Sequence, residues 1–91
     1  MKFVAVLALS LAAAANAAEP VLIASGKTGE RVELFADAGP CQFGARAAAW
    51  VSATQRIDGC WRVDGDLVAV AFFDGDAIRI PKAAFSAPQT L

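Results

Sequence analysis

Histidine and tyrosine are absent from this chain of 91 residues, methionine occurs once and cysteine twice. Without histidine, the commonest general base and metal ligand is missing. Ser25, Ser52 and Ser86 have no evident base beside them in the sequence. Charge of one sign is also scarce, with 8 Lys and Arg interspersed among 9 Asp and Glu. No basic stripe exists to neutralise phosphates, so nucleic acid is not an expected partner. The stretch "GKTGE", Gly26 to Glu30, lacks the full spacing of a phosphate-cradling loop and reads as a hairpin connection. No cofactor is expected.

Long apolar runs are confined to the start. Lys2 precedes a run from Phe3 to Ala15 broken only by Ser10, and Ala15-Asn16-Ala17 is a small-x-small cleavage site. These three parts in this order read as a signal peptide, residues 1–17, removed near Ala17 on export to the periplasm or beyond. The run falls short of the roughly 20 residues needed to cross a bilayer core, so stable membrane insertion is not expected.

Residues 18–91 then form one small domain, a size at which burial barely offsets chain entropy. In an oxidising compartment the two cysteines, Cys41 and Cys60, read as one structural disulfide. They are not in a Cys-x-x-Cys arrangement, which argues against a redox couple.

Alternating Val, Ile and Phe punctuated by Gly and Asp is the pattern of short strands and tight turns. A two-residue turn at Asp64-Gly65 sets Trp61 opposite Val68, Gly59 opposite Val70 and Ile57 opposite Phe72. A three-residue turn at Asp74-Gly75-Asp76 sets Phe72 opposite Ile78 and Val70 opposite Ile80. A loop at Thr54-Gln55-Arg56 sets Val51 opposite Gly59 and Ala49 opposite Trp61. All three turns place apolar residues on one shared face. The segment "GARAAAWVSATQ" carries apolar residues at helical spacing from Phe43, yet its alternation extends this register, so the strand reading is preferred.

Upstream, "PVLIAS" and "ERVELFAD" read as two further strands, and "AGPC" as a turn carrying Cys41. The second face bears Trp50, Cys60, Leu67, Ala69, Ala71 and Phe73 with Arg62 and Arg79. It is too apolar to be left open, and the N-terminal hairpin is the expected lid. The expected fold is all-β, a small antiparallel meander of about six short strands, barrel-like or two-layer. It has one disulfide and a short C-terminal helical turn that docks Phe85, with residues 85–91 otherwise trailing as a loose tail.

The Asp-Gly-Asp triplets at 64–66 and 74–76 suit turns, because Gly accepts positive φ and Asp bonds its own backbone. As calcium ligands they lack the spacing of an EF-hand loop and would lie at opposite ends of one strand. No metal site is expected.

Pro40-Cys41, Gly59-Cys60-Trp61, Asp74-Gly75, Ile80-Pro81 and Phe85 form an ordered pattern. In these residues the chain resembles small exported single-disulfide proteins of bacteria and their phages. The resemblance spans Cys41 to Phe85. It implies the disulfide and the β fold, and it implies no activity.

Two function classes stay open. The favoured one is a non-enzymatic binding or accessory module of the envelope, recognising a protein or cell-wall component through Trp50, Arg62 and Arg79. The alternative is a small hydrolase using carboxylates such as Asp58 and Asp64. Trp61 reads as core, because its expected neighbours are all apolar.

Overall fold

The computed structural model describes residues 19–88. The expected signal peptide, residues 1–17, lies outside the described residues. Six antiparallel strands form a single meander in sequence order: β1 (Leu22–Ser25), β2 (Arg31–Leu34), β3 (Arg46–Val51), β4 (Arg56–Asp64), β5 (Leu67–Phe72) and β6 (Ala77–Pro81). A 3₁₀ turn, Lys82–Ala84, follows. The sheet curls into a half-barrel whose two ends meet at one point, where Ile23 and Ser86 exchange backbone bonds of 2.8 and 3.0 Å. Among the described residues no helix is long and apolar enough to cross a membrane.

The inner side of the curl holds the core. Leu34 and Val70 are fully buried there, joined by Val32, Ala48, Val68 and Phe72. Trp50, Ile57, Trp61, Ile78, Ile80 and Phe85 pack around them, so the docking of Phe85 by a helical turn holds. The stretch from residue 85, expected to trail loosely, is anchored at its start by the Ser86–Ile23 bridge.

Strand order and the β4–β5–β6 faces follow the alternation in the sequence, but the pairing is displaced. Trp61 lies opposite Val70, not Val68, and Val70 opposite Ile78, not Ile80. Both displacements are two residues, so inward and outward sides are preserved. Turn chemistry explains them. Gly65 has φ +63 while Asp66 does not have positive φ, the pattern of a type II′ turn with glycine in its first central position. The alternative Asp64-Gly65 loop as type I′ would need positive φ at Asp64 as well. In the next hairpin, Phe72 N–H donates to Asp76 across a loop of Phe73, Asp74 and Gly75, with Gly75 at φ +102. Asp74 accepts from Asp76 N–H at 3.0 Å. Both triplets are therefore turns, at opposite ends of β5.

The β3–β4 pairing corrects the expected one by an odd number. Val51 lies opposite Arg56 and Ala48 opposite Gly59 across a four-residue loop, Ser52 to Gln55. The slip turns Ala48 and Trp50 inward and sends Ala47, Ala49 and Val51 outward. Burial decides it: a tryptophan removes far more apolar area from water than alanines do. Trp50 thus packs beside Ile57 in the core and not over the disulfide.

Trp61 is inside, as expected, and its indole Nε1–H donates to the Phe35 carbonyl at 3.0 Å. Trp61→Phe keeps an aromatic ring but leaves that carbonyl without its donor. It is expected to lower unfolding free energy by about 1–2 kcal/mol. Urea titration checks this, and an unchanged midpoint would show that the bond is immaterial.

The N-terminal hairpin is not a lid. β1 and β2 extend the same sheet beside β3, because their own inward residues, Leu22, Ala24, Val32 and Leu34, join the one core. Among the described residues the outer side is covered by the connection between β2 and β3.

Candidate functional site

Residues 35–45 cross the outer side of the sheet as a stapled loop. Phe35 N–H donates to the Ala47 carbonyl at 2.9 Å, and Ala47 N–H donates to Asp37 at 2.9 Å, so the loop departs from paired backbone. Cys41 N–H closes a turn on Ala38 at 2.8 Å. The Cys41–Cys60 disulfide then ties the loop to the middle of β4. Phe35 and Ala45, the two ends of the loop, are buried.

Immediately after the staple comes a turn with an unusual occupant. Ala45 N–H donates to Gln42 at 3.1 Å, and the two central residues, Phe43 and Gly44, have φ +57 and +83, as in a type I′ turn. Glycine takes that conformation without penalty, whereas phenylalanine pays for its Cβ against the backbone. The ring gains nothing from the core in return, since Phe43 is 90% exposed.

The loop divides the outer side into two grooves. On one flank a groove of about 430 Å³ has Ala69, Ala71 and Ala77 as its floor, with Cys60, Arg62 and Arg79 around it. Arg62, Ala69 and Arg79 stand in one cross-strand row, so the two guanidinium groups flank an alanine. Arg79 has Asp64 at 3.7 Å, and both are well exposed, which makes that pair worth little. On the other flank a second groove, also about 430 Å³, lies between Phe35, Pro40, Ala47 and Phe73. Arg56 stands over the Phe35 ring at 5.8 Å and donates from Nε to Asp58 at 2.9 Å. Phe73 is 60% exposed.

Of the residues singled out in the sequence, the structure brings Arg62 and Arg79 into one groove beside the Cys41–Cys60 bridge. Trp50 does not join them, since it faces the opposite side of the sheet. Asp58 and Asp64 share the outer side of β4 but are six residues apart, about 20 Å along a strand. That exceeds the roughly 5–10 Å of paired glycosidase carboxylates. Among the described residues no three of His, Cys, Asp and Glu gather as a metal-binding group.

Phe43 was missed because an aromatic residue reads as core. Its signal was positional: a glycine follows it and a stapled cysteine lies two residues before it.

No family model, curated protein or solved structure matches this chain.

Proposed function

We propose that the chain is an exported, non-enzymatic binding module of the cell envelope whose stapled loop presents Phe43 to a protein or cell-wall partner. One observation carries this reading: a bulky aromatic is held in solvent, in a backbone conformation that disfavours it, on a loop fixed by a disulfide. Strained residues persist where the surroundings hold them, and they concentrate at binding and catalytic sites. An exposed aromatic on a loop tied down by a disulfide is also what an interface anchor requires, because less entropy is lost when a constrained loop docks. Arg62 and Arg79 on one flank would add polar contacts at the rim. Export rests on the basic residue, apolar run and Ala15-Asn16-Ala17 site of the first 17 residues. It accords with the resemblance to exported single-disulfide proteins.

The test exploits the conflict between stability and binding. Phe43→Asn gives the loop the Asn-Gly pair that type I′ turns favour. It is expected to raise unfolding free energy by about 1 kcal/mol while abolishing capture of the partner from envelope extract. Urea titration and quantitative pull-down, run on the same preparations, measure both. If Phe43→Asn binds as well as the parent protein, the anchor role is wrong. N-terminal sequencing of the exported protein should find Ala18 first.

A further inference from the structure

We propose that the open edge of β6 pairs with the β6 edge of a second copy of this chain, forming a two-fold dimer through one continuous sheet. Among the described residues β6 has a neighbour on one side only, β5. Its bonding phase is fixed at both ends, where Phe72 N–H donates to Asp76 at 2.8 Å and Lys82 N–H donates to Asp66 at 2.9 Å. Residues 76, 78, 80 and 82 therefore bond toward β5, and residues 77, 79 and 81 turn their backbone groups to the open edge. Two N–H donors stand on that edge, those of Ala77 and Arg79, because Pro81 has none. All three residues are exposed. The returning chain does not cover them, since Ser86 spends its backbone bonds on Ile23 in β1.

Charge along the edge selects the occupant. Asp74 and Asp76 stand just before the strand, Arg79 at its middle and Lys82 just after it. An antiparallel neighbour of the same sequence runs the other way, so each acidic end meets a basic end. Pairing centred on Ile78 sets Ala77 opposite Arg79 of the other copy, and the converse. Both edge donors of each copy then find carbonyl acceptors, and Pro81 falls outside the bonded pairs. The same register brings Asp74 of one copy level with Lys82 of the other, twice by symmetry. The two Arg79 side chains lie diagonally, each with Asp64 at 3.7 Å beside it. A register centred on Arg79 would set like charges directly opposite and is disfavoured.

On the inner side Ile78 meets Ile78. That contact joins two grooves, each of about 340 Å³, with Trp50, Ile57, Phe72 and Ile78 as apolar lining and Gln55, Asp74 and Asp76 as polar lining.

Sedimentation velocity of the purified protein across a concentration series tests the interface. The parent protein is expected to show a monomer–dimer equilibrium. Arg79→Pro deletes an edge donor without touching the β5 ladder, and should abolish the dimer while leaving the far-UV circular dichroism unchanged. Lys82→Glu should weaken the dimer roughly tenfold, and adding Asp74→Lys to it should restore the parent affinity. A parent protein that stays monomeric at every concentration overturns the proposal. So does a dimer indifferent to Arg79→Pro. If that variant fails to fold, the charge exchange decides alone, and a double variant as weak as Lys82→Glu is equally fatal.

Discussion

Replacing both cysteines, Cys41→Ala with Cys60→Ala, is expected to remove about 3 kcal/mol of unfolding free energy. The bridge spans a sequence separation of 19 residues, and closing a loop of that size costs the unfolded chain entropy of about this magnitude. For a domain this small the loss is a large part of the whole, since stability runs at roughly 0.05–0.15 kcal/mol per residue. The folded state contributes as well. Apart from Phe35 and Ala45, the segment tied down by Cys41 is largely exposed, so little apolar burial holds it against the sheet. Two measurements separate the effects. Urea titration of the oxidised parent and the double-alanine protein gives the global loss. Amide exchange at Cys41 and Ala45, whose N–H groups close the two turns, reports local release of the loop. A loss under about 1 kcal/mol would mean that the half-barrel core alone is sufficient and that the bridge serves mainly to position Phe43.

Turn residues and alternation carried most of this fold in plain view. Glycine and aspartate at 64–66 and 74–76 marked the hairpins, and the inward set of Trp61, Val68, Val70, Phe72, Ile78 and Ile80 is the observed one. Pairing was less legible, because a two-residue displacement leaves every side chain on its own face. Only the turn type distinguishes the registers, and Gly65 could take either central position. The β3 segment was harder still. Its run of alanines gives little difference in burial between its two sides, so Trp50 alone decides which faces inward. The outer site was the least visible. Arg62 and Arg79 stood out as unexplained charges among alanines, and they do share a groove. Phe43 carried only a positional mark, the glycine after it and the cysteine two residues before, since its significance lies in a backbone angle and in exposure. Both are set by the disulfide and the Gln42–Ala45 turn more than by the residue itself.

Gly59→Ala is expected to destabilise the fold by about 3 kcal/mol, against the ordinary trend in which alanine stabilises a strand interior. Gly59 lies in one cross-strand row with Leu34, Ala48 and Phe72 on the inner side of the sheet. Small residues at the middle of that row let large ones at its ends, Leu34 and Phe72, close over it, and the sheet curls most easily where no side chain stands between strands. A Cβ built on Gly59 would overlap the Ala71 carbonyl oxygen and come within 2.8 Å of the Phe72 Cα. Both obstacles are backbone of β5, which is bonded on its other side to β6 and cannot give way as a flexible side chain would. The constraint is spatial, because Gly59 is not among the residues of positive φ. Relief requires β4 to move away from β5, and that movement strains the pairing of Trp61 with Val70 and loosens the packing around Phe72. A lowered urea midpoint together with a diminished near-UV signal from Trp50 and Trp61 would report both consequences. Should Gly59→Ala fold with parent stability, β4 and β5 cannot approach each other as closely as this row demands, and the tight curl of the half-barrel at Gly59 would be lost with it.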